Sequence, residues 1–155
     1  PIDDRLFAAA AAAQGLAELA TSKLAVQHAG NEQVREFARR MVQDHTQTNR
    51  RLQAIAAERR ITLPTTLDSQ DQATGECMAG LTGADFDRDY VRNQLLAHIK
   101  AISLFQTEAR RGQDEQMRTF AAETLPHLQQ HEQMARQLAS QLGLVDFQSP
   151  ERDAG

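Results

Sequence analysis

Apolar residues recur at alternating spacings of three and four along four long stretches of the chain. This period is typical of a helix face that packs on other helices. The second stretch carries Val34, Ala38, Met41, His45, Thr48, Leu52 and Ile55; the third carries Val91, Leu95, His98, Ile102, Phe105 and Ala109; the fourth carries Met117, Ala121, Thr124, Leu128, His131, Ala135, Leu138 and Leu142. The first stripe is mostly alanine and comprises Leu6, Ala10, Ala13, Ala17, Ala20 and Leu24, with Glu18 one residue off it. The four stripes predict an all-α fold.

Capping residues and glycines mark where the four helices begin and end. The predicted first residues or caps are Asp3 or Asp4, Asn31, Thr82 and Asp114, and the predicted ends are Gly30, Arg60, Gly112 and Gly143. Thr82 begins a sequence that resembles a capping box. Two connections are short and predict antiparallel hairpins, whereas residues 61–83 form a long crossover with room for a short helix. We therefore expect a ferritin-like four-helix bundle over residues 1–143, two antiparallel hairpins joined by a long crossover, and a flexible tail over residues 144–155.

The composition of the chain argues against some classes of binding partner. The 155 residues include 17 basic and 21 acidic side chains, and this mildly acidic balance argues against nucleic acid as a partner. No apolar run approaches the roughly 20 residues that a membrane span needs. Cys77 is the single cysteine, so no internal disulfide is expected. A homo-oligomer or a protein partner stays open.

Three histidines interrupt the apolar stripes, each near the middle of its own helix. They are His45, His98 and His131, and Glu18 lies near the middle of the remaining helix. Sites for metals and cofactors in helix bundles are built from side chains that face the core from different helices. Imidazole suits zinc, copper, nickel or iron, and a carboxylate completes a tetrahedral set. The sequence thus predicts a transition-metal site at mid-bundle with one ligand from each helix.

Other residues extend or replace this ligand set. Asp44, Asp87 and His127 are candidates for the groups that hold a ligand histidine through its second ring nitrogen. His127 and His131, four residues apart, are also a possible pair of ligands on one helix face. Alternatively, a buried network of His45, Asp44, Tyr90 and Asp87 would satisfy the same polar groups without metal. Haem between two facing histidines is a less favoured third possibility.

The sequence lacks the motif of a di-iron carboxylate bundle. That site uses Glu-x-x-His on two helices, but Val42, Leu95 and Leu128 stand three residues before the three histidines. Ferroxidase or oxygenase chemistry is therefore not expected. No nucleophile has a base beside it in the sequence, and Cys77 stands in the crossover without one, so we expect a protein that is not an enzyme.

Pro126 falls inside the fourth apolar stripe. Proline removes a backbone hydrogen bond from a helix interior, so it either bends this helix just before His127 and His131 or divides it into two shorter helices.

Several segments carry a resemblance to a known family. They are residues 17–20 (AELA), 37–46 (FARRMVQDHT), 86–91 (FDRDYV) and 125–131 (LPHLQQH), together with His98. In this order they resemble the DUF4142 family, bacterial ferritin-like proteins of poorly defined function. The resemblance implies the ferritin-like fold and, because members often carry an export signal, a periplasmic or cell-envelope location. A structural or protein-interaction role, such as an envelope stress protein whose buried polar residues are purely architectural, is the competing interpretation.

Overall fold

A computed structural model describes residues 3–144, which form five helices and no strand. The helices are α1 (Asp4–His28), α2 (Glu32–Glu58), α3 (Ser69–Ala79), α4 (Gly83–Arg111) and α5 (Glu115–Gln141). The all-α prediction is confirmed, and the short helix expected in the crossover is α3. Apart from Leu144, the predicted tail lies outside the described residues. None of the described helices combines the length and the apolar character that crossing a membrane requires.

Side-chain caps fix the starts of most helices, because the first N–H groups of a helix lack partners within it. Asp3, Asn31 and Asp114 each accept a hydrogen bond from the first turn that follows, as the sequence predicts. The capping box predicted at Thr82 is wrong, since its side chain makes no such bond. Instead, Gly83 packs against Gly30, where an added Cβ would lie 2.8 Å from the Cα of Gly83. This close approach fixes the start of α4 on the turn between α1 and α2.

The four long helices contact one another in the order α1, α2, α5, α4 and back to α1. The rings of Phe7 and Phe105 lie 5.0 Å apart near one end of α1, and Ser22 and Tyr90 are hydrogen bonded at 2.8 Å near its other end. Helices α1 and α4 are therefore antiparallel. The crossover returns the chain along the length of α2, and α3 packs on α1 and α4 with Met78 buried.

The apolar core consists of two clusters that occupy opposite ends of the long helices. The first contains Phe37, Phe86 and Tyr90, and the second contains Phe7, Phe105 and Phe120, each with smaller neighbours. The three stripe histidines belong to neither cluster. They lie between the two, at the middle of α2, α4 and α5, in what we call the histidine layer (His45, His98 and His131).

The stripe predicted for α1 is wrong by one residue. Leu6 is 70% exposed, whereas Phe7 is 1% exposed and contacts Phe105 and Phe120. The buried face of α1 comprises Phe7, Ala8, Ala11, Ala12, Gly15, Glu18, Thr21, Ser22 and Ala25. Alanine occurs on every side of this helix, so the apolar period did not define one face. The correction places Glu18 directly on the buried face.

Pro126 lies inside a single uninterrupted α5, so of the two alternatives left open by the sequence the structure excludes a division into two shorter helices. The residue one turn earlier, Ala122, is exposed, as is Pro126 itself. The carbonyl that loses its amide partner thus belongs to the outer face of the helix, where water satisfies it.

Candidate metal centre

The histidine layer brings three imidazole rings together from three different helices. The ring centroids of His45, His98 and His131 are separated by 5.5 to 5.6 Å in every pair. One ring nitrogen of each lies within 4.8 Å of one ring nitrogen of the other two. All three side chains are buried. The rings therefore enclose a small triangular space at the centre of the four long helices.

Two of the three rings are held through one nitrogen, which leaves the other nitrogen free. Nδ1 of His98 donates to the backbone oxygen of Gln94 at 2.8 Å, and Nε2 of His131 donates to Oδ2 of Asp44 at 2.7 Å. The remaining nitrogens, Nε2 of His98 and Nδ1 of His131, are buried and have no hydrogen-bond partner. Nε2 of His45 is likewise buried without a hydrogen-bond partner. Each ring thus presents an unused nitrogen in a protein interior, where such groups are usually paired.

Glu18 lies beside the layer on α1. Its Oε2 is 3.8 Å from Nε2 of His45, and its Oε1 is 4.0 Å from Nδ1 of His98. Oε2 is a further buried atom without a hydrogen-bond partner. The carboxyl group contacts only two of the three rings and does not belong to the set in which all ligand atoms lie within 4.8 Å.

Burial makes this layer electrically neutral near pH 7. It lowers the pKa of His45 to about 3, with smaller contributions from His98 and His131, and lowers the pKa of His98 to about 4. Burial also lowers the pKa of His131, although Asp44 opposes this effect. Burial raises the pKa of Glu18 to about 8. The three imidazoles are consequently in the neutral form, which is the form that binds metals.

Asp44 connects the layer to the surface of α2. Burial alone would raise the pKa of its carboxyl group, but hydrogen bonds from His131 and Arg40 lower it. The resulting carboxylate fixes which nitrogen of His131 carries the proton and increases the basicity of the other. This is the arrangement that the sequence suggested for Asp44.

The separation of the three ring nitrogens is compatible with a metal site. Metal–nitrogen bonds of about 2.0–2.1 Å place the ligand nitrogens of a tetrahedral or trigonal site roughly 3.3–3.6 Å apart. The three nitrogens lie within 4.8 Å of one another, an upper limit that exceeds this separation by about 1.2–1.5 Å. Rotations of the rings would bring the nitrogens to the shorter separation.

The other predicted site residues are not in the layer. The carboxylate of Asp87 accepts the backbone N–H groups of Gly30 and Asn31 at 2.9 Å, eleven residues before His98 along α4. Tyr90, two turns before His98, is bonded to Ser22. These two residues lie at the end of the bundle that contains the first apolar cluster, with Phe37 and Phe86.

His127 lies one turn before His131 on α5, and its side chain is exposed. The structure therefore does not bring it into the layer with His131.

Sequence reasoning missed the role of Gln94, whose backbone oxygen holds His98. A carbonyl four residues earlier is available to every helical histidine, so no side-chain signal marks it. It also missed Thr21, whose hydroxyl accepts a bond from the Gln94 amide at 3.3 Å. The second miss follows from the wrong face assigned to α1, because the buried face includes Thr21 and meets Gln94.

The comparisons with known proteins agree with this fold. The family DUF4142, described as a domain of unknown function, matches residues 1–138. A DUF305 protein from Streptomyces coelicolor, thought to be secreted, is 14% identical with a TM-score of 0.77, over 90% of this chain and 92% of that chain. CopM in its Cu(I)-bound form is 12% identical with a TM-score of 0.76, over 91% of this chain and 98% of that chain. Curated proteins give no match. At these identities the likeness of the two structures concerns the fold alone.

Proposed function

The chain belongs to the DUF4142 family, and we propose that it is a non-enzymatic, ferritin-like four-helix bundle that binds one transition-metal ion through its histidine layer. The ligands are His45, His98 and His131, with Glu18 available at the fourth position. One observation carries this proposal. Three buried rings each bring one nitrogen within 4.8 Å of the others, each has a ring nitrogen without a hydrogen-bond partner, and the opposite nitrogens of His98 and His131 are held in place.

The ferritin-like arrangement is supported by the helix contacts. Two antiparallel hairpins, α1–α2 and α4–α5, are connected by one long crossover, and such a topology is typical of ferritin-like folds. In this class, metals lie in the core between facing helices, which is where the histidine layer lies.

Copper is the first ion to test. Imidazole ligands suit copper, zinc, nickel and iron, and the affinity of divalent ions for such sites is highest for copper. The likeness to CopM in its Cu(I)-bound form adds support from a protein of similar fold. A neutral layer of three imidazoles also favours an ion of low charge, because an unbalanced charge is costly in a protein interior.

A periplasmic or secreted location is part of the proposal. It is supported by the likeness to a Streptomyces protein that is thought to be secreted and by the family resemblance.

The experiment is a measurement of metal content by mass spectrometry on protein purified without a histidine tag, before and after incubation with copper, zinc, nickel or iron and desalting. We expect about one ion per chain. The variants His45→Ala and His131→Ala should lose it. His127→Ala is the matched control, because this exposed histidine lies one turn from His131, and it should retain the ion.

Protein that accepts no metal under any of these conditions would contradict the proposal. The histidine layer would then be architectural, as in the competing interpretation of an interaction protein. Retention of metal in both His45→Ala and His131→Ala would place the ion elsewhere.

A further inference from the structure

A narrow cavity beside the histidine layer is lined by residues of all four long helices, and its half-buried polar residues lie on α1 and α2. This inner cavity has a volume of about 20 Å³, and Glu18, His45 and His98 line its deep end. Gln14, Thr48 and Asn49 line it as well, and these three residues are half-buried rather than buried. A volume of this size accommodates about one water molecule. The cavity therefore extends from half-buried polar side chains to the side chains of His45 and His98.

A larger groove lies outside it. This outer groove has a volume of about 340 Å³ and is formed by α1, α2 and the first residues of the crossover, including Ile61 and Pro64. Asn49 lines both the outer groove and the inner cavity. Its side chain thus stands at the boundary between the two spaces.

The side chain of Asn49 fits at this boundary because residue 15 is glycine and has no side chain in the way. A Cβ atom at Gly15 would lie 2.1 Å from Oδ1 and 2.9 Å from Cγ of Asn49. The amide of Asn49 therefore occupies the space that any other residue at position 15 would take. Within residues 3–144, no hydrogen bond of the Asn49 side chain holds it in this position. A half-buried side chain that makes no hydrogen bond changes rotamer without the cost of breaking one.

We propose that the inner cavity is the route by which water-sized species reach the histidine layer and that Asn49 is its gate. An ion that passes must lose most of its hydration shell, and the amide oxygen of Asn49 replaces part of that shell at the boundary. The inference deepens the proposed function, on which it rests only for the identity of the ion.

The test uses the metal-free protein first. Exchange of the histidine ring N–H protons with solvent, measured by NMR on protein with ¹⁵N-labelled histidine, reports how readily water reaches the layer. Asn49→Ala removes the gate and should accelerate the exchange of the His98 proton by about tenfold or more. Asn49→Leu keeps the shape of the side chain without its polar atoms and should slow the exchange by a similar factor.

Gln53→Ala and Gln53→Leu are the matched controls. Gln53 lies one turn further along α2 and lines the outer groove but not the inner cavity. Its variants should leave the exchange rate within about twofold of the original protein. Equal rates in the Asn49 and Gln53 variants would overturn the proposal.

A second measurement follows the rate of Cu(I) uptake in the same four variants. This rate should rise in Asn49→Ala, fall in Asn49→Leu and stay unchanged in the two Gln53 variants. The affinity for Cu(I) should be the same in all four. The two proposals can fail separately. Protein that takes up none of copper, zinc, nickel and iron but shows the expected order of proton exchange contradicts the proposed function and supports the route. Protein that binds copper with proton exchange insensitive to Asn49 contradicts the route alone.

Discussion

Two buried carboxyl groups, Asp87 on α4 and Glu18 on α1, have similar exposure and opposite surroundings. Asp87 is 3% exposed, and both of its oxygens accept backbone N–H groups, from Gly30 and Asn31. Glu18 is 6% exposed, and its Oε2 has no hydrogen-bond partner among the described residues. Asp87 connects the start of α4 to the turn between α1 and α2. Glu18 faces the rings of His45 and His98, each of which has a nitrogen without a hydrogen-bond partner.

The difference shows that burial of a polar group does not by itself indicate function. A satisfied buried carboxylate stabilises the fold, because its removal leaves other buried groups without partners. An unsatisfied group costs free energy in the folded protein, so its presence points to a ligand that satisfies it. Of the eight buried side-chain atoms that lack a hydrogen-bond partner among the described residues, four belong to this layer: Oε2 of Glu18, Nε2 of His45, Nε2 of His98 and Nδ1 of His131.

A second structural carboxylate repeats the arrangement of Asp87 at the other end of the molecule. The carboxylate of Asp4 accepts the backbone N–H groups of Gln113 and Asp114, both at 2.8 Å. Each hairpin turn is thus held by an aspartate from the first helix of the other hairpin. These two satisfied carboxylates lie at the ends of the helices, and the histidine layer lies in the middle. Both oxygens of Glu108, near the end of α4, are also without a hydrogen-bond partner.

The largest effect is expected from Asp87→Ala. The substitution removes two charge-assisted hydrogen bonds and leaves the N–H groups of Gly30 and Asn31 without their partner. We expect a loss of about 3–5 kcal/mol in the free energy of unfolding, measured by denaturant titration. Asp85→Ala is the control, because Asp85 is an exposed acid in the first turn of the same helix and its loss should cost less than about 1 kcal/mol. Similar small losses in both variants would contradict the structural role of Asp87.

A smaller effect is expected from Glu18→Gln, and it depends on pH. The pKa of Glu18 is raised from 4.5 to about 8 in the folded protein, so the folded state binds more protons than the unfolded state between these values. Stability contributed by the protonated group is therefore lost as the pH rises toward 8. Above pH 6.5 the histidines no longer oppose this trend, because their folded-state pKa values are lowered.

Unfolding free energies measured from pH 6.5 to 8 should fall by on the order of 1–2 kcal/mol in the original protein and by less in Glu18→Gln. Glu108→Gln is the comparison, since burial raises the pKa of Glu108 only to about 7. Glu108→Gln should therefore change the dependence of the unfolding free energy on pH only below about pH 7. An unchanged slope between pH 7 and 8 in Glu18→Gln would show that Glu18 is ionised in the folded protein.

The smallest effects are expected from two substitutions of buried rings, which should change the free energy of unfolding in opposite directions. His45→Leu replaces a ring whose Nε2 is unpaired, so the metal-free protein should gain between about 0 and 1 kcal/mol in stability. Tyr90→Phe removes a hydroxyl that is bonded to Ser22 and should cost about 1 kcal/mol. Thermal and denaturant unfolding of the two variants measure both changes. Destabilisation by His45→Leu as large as that by Tyr90→Phe would indicate that His45 is a satisfied core residue.

The sequence alone predicted the helical elements and most of the candidate site. The stripes of α2, α4 and α5 placed His45, His98 and His131 on the buried faces, and the caps Asn31 and Asp114 placed the starts of two helices correctly. Both kinds of signal are local. Burial repeats with the helix period, and a cap bonds to residues within the next turn, so neighbouring residues contain the information.

Only the tertiary structure decided which face of α1 is buried, because an alanine-rich helix has no face that its own sequence prefers. It also decided which nitrogen of each ring is free, what Asp87 and Asp4 bind, and how Asn49 fills the space beside Gly15. The bond from Asn31 to Asp87 spans 56 positions and that from Asp114 to Asp4 spans 110. Such contacts depend on how four helices fit together, since a side chain meets a distant partner only where packing brings the two backbones to one place.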